Sequence, residues 1–590
     1  MATHSTQQLK LYKYKFLFFF ILTACLYSHV QTSLYSLGTM YQYDHIDKTI
    51  VSERVDQFRD QVKRHLDGQI DANDFRDLRL RNGLYMQVHA HMLRVSIPYG
   101  LVNSSQMRTL ANIAREYDRG YGHFTTRQNI QYNWPELDQV PDILADLAEV
   151  EMHAMQTSGN CIRNISSDQY AGVAPDEIVD PRPYCEIIRQ WSTMHPEFYW
   201  LPRKFKFAVT GALNDRAAVQ FHDIGLQVLE RDGQIGFTVY VGGGLGRTPV
   251  IGKVIKEFLP REDILSYCEA ILRVYNLYGR RDNKYKARIK ILVNALGIDG
   301  FRDAVEKEWT PMRGGNLTLV DEDFDYMQSF FPRPVYKDLP DADQRIEQWR
   351  SLDTRFKQWV DHNTAKHRES GYRIVNVSLK EHGVAPGDAT DSQMDAVADI
   401  AEKYSFGEIR VTHEQNLVLA DVCVADLLDV WRALDKASLA TPNIGSLNDM
   451  ICCPGSDFCS LANTTSIGIA KQINERFNNF DELYDIGEVK LKMSGCMNAC
   501  GHHHVGHIGI LGVDKKGEEW YQLTLGGDAT NNAALGERLG PAIAKADVSD
   551  AIARILDVYK DIRLQDEAFI QTFRRVGVDP FKDRVYAEAA

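Results

Sequence analysis

"SQMRTLANIAREY" (Ser105–Tyr117) and "SQMDAVADIAEKY" (Ser392–Tyr404) are one helix written twice, 287 residues apart. In both, apolar residues recur at spacings of three and four, which predicts an amphipathic helix, and Ser105 and Ser392 are candidate N-caps. The echo continues outward from this pair. "FTTRQNIQY" from Phe124 is matched by "VTHEQNLVL" from Val411 at the same offset. Gly242-Gly243 recurs as Gly526-Gly527, and "ILRVY" from Ile271 as "ILDVY" from Ile555, both 284 residues on. "GIDGFRDAV" from Gly297 is answered by "GVDPFKDRV" from Gly577. Order and spacing held over hundreds of residues mark an internal duplication.

Each copy has the same plan: a strand ("MLRVSIP" near Met92, "YRIVNVSL" near Tyr372), the SQM helix, another strand, and a helix at "VPDILADLAEV" or "VADLLDVWRAL". A second unit with a strand, a glycine turn and helices follows in both. Strands and helices intermixed in this way predict an α+β fold, with mixed sheets flanked by helices around a pseudo-twofold axis. The expected units are 40–150, 151–334, a helical linker over 335–370, then 371–440 and 441–590. A cleft at the shared axis is a favoured cofactor site.

A chain of 590 residues exceeds a single core, and its 44% apolar and 25% charged composition is that of a globular protein. The net charge of -13 argues against a nucleic-acid or anionic-membrane binder, while leaving room for a local basic pocket. Residues 1–39 differ in character: "KYKFLFFFILTACLY" is basic, then apolar over Phe16–Tyr27. Its apolar core of about twelve residues is short of the ~20 that a span requires. The preferred reading is a dispensable extension with Met40 as the start; a signal or anchor and an apolar helix are the other two.

Ten cysteines are too few for a disulfide scaffold, yet Cys452, Cys453, Cys459, Cys496 and Cys500 fall within 49 residues. Such clustering points to metal or redox chemistry in a reducing, cytoplasmic setting. Cys453 and Cys459 form C-x5-C; Cys496 and Cys500 form C-x3-C, 36 residues later. Four thiolates suit an iron–sulfur cubane or zinc, and the x5 spacing stretches the zinc rule. Unrelated buried thiols are the third reading. Gly495 and Gly501 bracket the second pair, where glycine lets backbone approach an inorganic body. His502, His503, His504 and His507 follow at once. They read as hydrogen-bonding or carboxylate-contacting partners of a cofactor or as a solvated or packed loop, ahead of a separate metal site, and a zinc-binding enzyme or module using Cys496, Cys500 and these histidines is an alternative of another class.

At "CPGSDFC" (Cys453–Cys459) and "GCMNACG" (Gly495–Gly501) the chain resembles the sirohaem- and [4Fe–4S]-containing sulfite/nitrite reductases, in particular their haemoprotein (beta) subunits. The likeness runs from about Leu78 to the C-terminus and includes the duplication. "MLRVSIP" with Arg94, "TTRQNIQ" (Thr125–Gln131), "CIRN" with Arg163 and "LPRKFK" from Leu201 fall in the family's order. The resemblance implies ferredoxin-like halves at 40–150 and 371–440, sirohaem-binding domains at 151–334 and 441–590, and a [4Fe–4S] cluster on Cys453, Cys459, Cys496 and Cys500. Cys500 would also face the sirohaem iron. It implies further that Thr125, Thr126, Arg127, Gln131 and Asn498 contact the macrocycle, and that Arg94, Arg163, Lys204 and Lys206 line the substrate face.

The chemistry of those residue types agrees. A small dianion in a poorly solvated pocket needs cationic partners, Arg offers a rigid fork for carboxylates, and Lys can also deliver protons. Taken singly, Arg94 also reads as a buried ion pair, "PRKFK" as an exposed basic edge and "TRQN" as a polar strand end. The resemblance implies an assimilatory-type sulfite reductase, six electrons taking sulfite to sulfide, with nitrite reduction to ammonia as the alternative; Lys206, where nitrite-reducing members tend to have Asn, favours sulfite. Tyr85 has Ser158 opposite it where some members crosslink Tyr to Cys, so no such link is expected. "VGGGLG" near Gly242 lacks the dinucleotide-binding pattern. Electrons are therefore expected from an external ferredoxin or flavoprotein.

Overall fold

The computed structural model describes residues 40–587. The extension read over 1–39 lies outside the described residues. Among the described residues no helix is long and apolar enough to cross a membrane.

The repeated helices form at Ser104–Tyr117 and Asp391–Tyr404. Their caps are Asn103 and Thr390, and not Ser105 and Ser392. Each cap side chain accepts from the backbone N–H of Gln106 or Gln393, whose side chain bonds back to the cap's own N–H. The Gln of "SQM" thus closes a capping box, and that reciprocal pair sets the first turn earlier than a serine alone would. The two helices are joined by Arg108 to Asp399 and Glu402, and by Arg115 to Asp391 and Asp395.

Two five-stranded sheets lie against them, and each takes its edge strand from the other copy. One runs Leu84–Met86, His91–Val95, Ile130–Tyr132, Tyr121–Phe124 and then Asp388–Thr390; the other runs Thr364–Lys366, Tyr372–Val377, Leu417–Cys423, Glu408–Val411 and then Leu101–Asn103. This exchange merges both copies into one hydrophobic core containing Leu93, Met107, Phe124, Met394, Val411 and Leu419. The segment 335–370 contains helices at Gln344–Leu352 and Thr354–Asn363, and its end is the sheet strand Thr364–Lys366. Ile346, Phe356 and Trp359 join the same core.

The remaining two sheets are also duplicates. One orders Lys253–Pro260, Gln234–Val241, Ile224–Arg231, Phe207–Thr210 and Ser166–Ser167; the other orders Ile451–Cys452, Leu491–Ser494, Ile508–Lys515, Glu518–Leu525 and Glu537–Arg538, with Ile543–Ala544 also against Glu518–Leu525. In both, two parallel pairings give way to a long antiparallel hairpin. The hairpins turn at Asp232-Gly233 and Lys516-Gly517, all four residues at positive φ. That is the two-residue turn that matches strand twist. Each sheet builds its own core, around Phe207, Val239 and Ile271 in the first and Leu491, Leu523 and Ile555 in the second.

Candidate functional site

The loops after the Tyr121–Phe124 and Glu408–Val411 strands, "TTRQN" and "THEQN", adopt one conformation. Thr125 N–H donates to Asn129 O at 2.9 Å, and Thr412 N–H to Asn416 O at 3.0 Å. Gln128 and Gln415 sit at φ 56° and 61°, and their side chains cross the axis in opposite directions: Gln128 Nε2 donates to Val411 O and Gln415 Nε2 to Phe124 O, each at 3.0 Å. Gln128 Oε1 accepts from Ser167 N–H, and Gln415 Oε1 from Cys452 N–H. These reciprocal bonds fix the strand ends from which the site is built.

Between the copies lies a cavity of about 1100 Å³, its mouth included. Arg94, Arg127, Arg163, Lys204, Lys206 and Arg288 line it, and among the described residues no Asp or Glu does. Thr125, Thr126, Gln131, Asn498 and Cys500 are on its wall too, with Cys453 at one side. Cys459 and Cys496 are not among the lining residues.

Arg94 forms no ion pair among the described residues. It donates to Gln131 Oε1 (Nε, 3.0 Å) and to Thr157 O (Nη1, 3.4 Å). Arg163 Nη1 reaches the same Thr157 O at 2.7 Å, and its Nη2 reaches Gly159 O at 2.8 Å. Arg127 donates to Asn164 O at 2.7 Å and meets the His222 ring. All three guanidinium groups rest on neutral acceptors. Arg288 alone is paired, to the fully buried Asp223, which also accepts Lys206 N–H at 2.9 Å.

This crowding of like charge has electrostatic consequences. Burial, and then Arg163, pull Lys204 down to about 7 despite the Cys500 thiol beside it. Burial, Arg127 and Lys204 push Lys206 well below the ordinary lysine range. Even Arg127 falls to about 9, chiefly through burial and Arg163. Both lysines are half-buried and line the cavity. An anion entering here would meet a cationic wall offset only by Asp223, behind Arg288.

The cysteine loops lie against one another. Gly495 N–H donates to Cys453 Sγ at 3.1 Å and Gly495 O accepts from Asn463 N–H. Burial raises the Cys453 thiol to about 12 and lifts Cys459 and Cys496 as well, the Cys500 charge adding to all three. The glycines have a nearer cause than a bound group: a Cβ on Gly501 would lie 1.8 Å from Met493 O, and one on Gly495 2.8 Å from Thr464 O. Cys500 O accepts from Thr126 Oγ1 at 2.7 Å, tying this loop to the first copy. Cys452 is buried with its thiol turned to Cys453 O.

Among the described residues no three His, Cys, Asp or Glu gather around a point where a single metal ion would sit. The histidines take separate places. His502 lines the cavity; His503 is fully buried; His504 Nε2 bonds Gly246 O at 2.9 Å; His507 Nδ1 accepts from Lys490 N–H. Their run is the duplicate of "AVQFHD": Ala218 and His502, 284 residues apart, are both left-handed and both open a short 3-10 turn. Sequence reasoning missed His222, Asp223 and Arg288. The first two were legible as mates of that run; Arg288 sits in "KYKARIK", where nothing sets it apart from its basic neighbours.

Comparison with known families decides what this architecture is. The nitrite and sulphite reductase 4Fe-4S domain matches residues 158–311 and 445–590, and the nitrite/sulfite reductase ferredoxin-like half domain matches 86–150 and 370–437. The chain belongs to the nitrite and sulfite reductase family. It is 27% identical to the chloroplastic ferredoxin–nitrite reductase of Arabidopsis thaliana, over 86% of this chain and 84% of that one. It is 28% identical to sulfite reductase [ferredoxin] 1 of Mycolicibacterium paratuberculosis, over 81% of each. The solved structure of the Mycobacterium tuberculosis NirA protein shares the fold, with a TM-score of 0.73 at 24% identity over 91% of this chain and 97% of that one. Family membership makes the chain an oxidoreductase of the nitrite/sulfite reductase type.

Proposed function

We propose that the chain is an assimilatory-type sulfite reductase that takes sulfite to sulfide. The observation that carries this reading is the cavity wall: six Arg and Lys residues, no carboxylate among the described residues, and Cys500 on the same surface. Such a wall fits a polycarboxylate macrocycle together with a small oxyanion, and on this reading the cavity takes sirohaem. On the same reading Cys453, Cys459, Cys496 and Cys500 would hold a [4Fe–4S] cluster, a group that thiolate ligands suit. When bound, sirohaem and the cluster would supply electron transfer and the iron at which substrate is reduced, and Cys500 is the residue that would serve both.

The chain's own residues do the rest. Arg127, Gln131, Thr125, Thr126 and Asn498 hold the macrocycle's polar edge, Arg127 with its rigid fork. Arg94 and Arg163, fixed by Thr157 O, orient the oxyanion and stabilise charge on its oxygens as they leave as water. Lys204 and Lys206 supply electrostatic attraction and hand on protons, directly or through water. A lysine near neutrality is suited to both, since it can give up a proton and regain it. Electrons come from an external ferredoxin or flavoprotein; the ferredoxin in the relatives' names supports the former. The clustered thiols support a reducing, cytoplasmic location and a place in sulfur assimilation.

Nitrite reduction to ammonia is the second reading, favoured by the nitrite-reductase relatives. Lys206 tips the choice, because a more positive pocket suits a dianion better than a monoanion. The visible spectrum and the iron and labile-sulfide content of the purified protein test the cofactors; a colourless protein carrying only zinc would overturn the reading. Turnover of each anion with reduced methyl viologen tests the substrate. Lys206→Asn should lower sulfite reduction about tenfold more than nitrite reduction, the effect of roughly 1.4 kcal/mol in differential charge stabilisation. Equal losses would remove the charge argument.

A further inference from the structure

Each copy sends a seven-residue loop toward the other, and the two loops are duplicates. Residues 244–250 are closed at the base by Gly244 N–H to Val250 O and the reverse, both 2.9 Å. Residues 528–534, 284 positions on, are closed by Asp528 N–H to Ala534 O and the reverse, both 3.0 Å. Each is tethered from behind by a cation, though not at duplicate positions. Lys290 Nζ donates to Leu245 O at 2.8 Å and to Thr248 O; Arg574 Nη2 donates to Asp528 Oδ2 at 2.8 Å and Asn532 O at 3.2 Å.

Their tips are held very differently. The 528–534 strap is pinned to the first copy through Asn531, which binds Leu213 O, Asp215 N–H and Gln220 Nε2. The 244–250 strap lies over the second copy's cysteine loop, close enough that a Cβ on Gly246 would be 3.8 Å from Met497 O. One hydrogen bond among the described residues carries it across, from His504 Nε2 to Gly246 O at 2.9 Å. His504 occupies the position of Gln220. Leu245, beside the latch, is on the cavity wall with Asn498 and Cys500.

We propose that His504 is a positioning residue: it latches the 244–250 strap over the Cys496–Cys500 loop and thereby closes one side of the cofactor cavity. The strap is the side that opens for loading and loss of the prosthetic group, because it has a single crossing bond where its duplicate has three. The link to a prosthetic group rests on the reading given above; the latch itself does not.

Hydrogen exchange on the purified full-length protein separates the two. In His504→Ala the 244–250 segment should exchange about fivefold faster, the shift in opening expected for one lost hydrogen bond, with 528–534 unchanged. His504→Gln, which copies Gln220, should restore slow exchange. Asn531→Ala should free 528–534 and leave 244–250 as it was. On incubation with a chelator, bound iron and visible absorbance should be lost faster in His504→Ala alone. Unchanged exchange at 244–250 in His504→Ala, or His504→Gln behaving like alanine, would overturn the latch. Faster exchange with no faster loss would overturn the loading route. Wild-type protein free of iron and macrocycle would instead defeat the cofactor reading, with the exchange result still deciding the latch.

Discussion

The two copies share a backbone and differ in what they aim at the axis. Along "GCMNACGH" (Gly495–His502) the second copy carries Cys496 and Cys500; along the duplicate "GALNDRAA" (Gly211–Ala218) the first has Ala212 and Arg216. Along "CPGSDFC" the second has Cys453 and Cys459; along "DQYAGVA" (Asp168–Ala174) the first has Asp168 and Ala174. The vacated place is filled by protein. Arg216 and Asp168 pair at 2.7 Å where Cys500 and Cys453 would stand, and Tyr170 Oη reaches Asn376 at 2.9 Å. The TTRQN loop shows the reverse bias: Arg127 on the cavity side answers to Glu414, and Thr126 to His413. A duplicated fold offers two equivalent sites. Here one is left open, cationic and thiol-lined, and its twin is closed by ion pairs.

The comparison breaks most completely at Cys500. Cys500→Ser leaves the loop, its Thr126 bond and the fold in place and should take reductase activity to background, with loss of the coupled visible spectrum. Retained turnover would mean that the open site works without this thiol. Next in size is Arg127→Glu, which gives the open site the residue of its twin. A carboxylate facing another carboxylate should weaken retention of the macrocycle about a hundredfold, equivalent to ~3 kcal/mol for an unpaired buried charge. Haem content per chain after gel filtration reads this directly. The closed site is probed by Arg216→Met. It leaves Asp168 buried without its guanidinium and should lower unfolding stability by about 3 kcal/mol, measured by urea denaturation, with activity per loaded site unchanged. A large activity loss there would mean that the twin site is not merely filled.

The duplication, the α+β class and the cationic residue types were legible because they are repeated or ordered in the text. A helix copied with its Gln at the third position keeps its capping box, so it is found from sequence even when the cap is assigned a residue or two late. Arg94, Arg127, Arg163, Lys204 and Lys206, separated by up to 112 positions, could be brought together only through motif order. The strand exchange at Asp388–Thr390 and Leu101–Asn103 was not legible, because an edge strand of three residues carries no signal of which sheet it joins. Nor was the histidine run. Its backbone is dictated by the duplicate turn at Ala218, and its side chains face a cavity, a core and a strap in turn; periodicity within six residues cannot separate those surroundings.

The most gradual expected effect is a pH dependence in the unloaded chain. Lys204 falls to about 7 in the fold, against about 10.5 for an unfolded lysine. The folded state therefore binds fewer protons than the unfolded one across this window. Stability from this group is complete above pH 10.5 and is lost as pH falls toward 7, at a slope of at most roughly 1.4 kcal/mol per pH unit. Lys204→Met should flatten that slope in urea titrations of cofactor-free protein between pH 7 and 10. An anion in the cavity restores the charged lysine, so sulfite or the macrocycle's carboxylates should flatten it too. A slope that survives both Lys204→Met and loading would place its origin outside the open site, and would remove the electrostatic difference between the two copies as its cause.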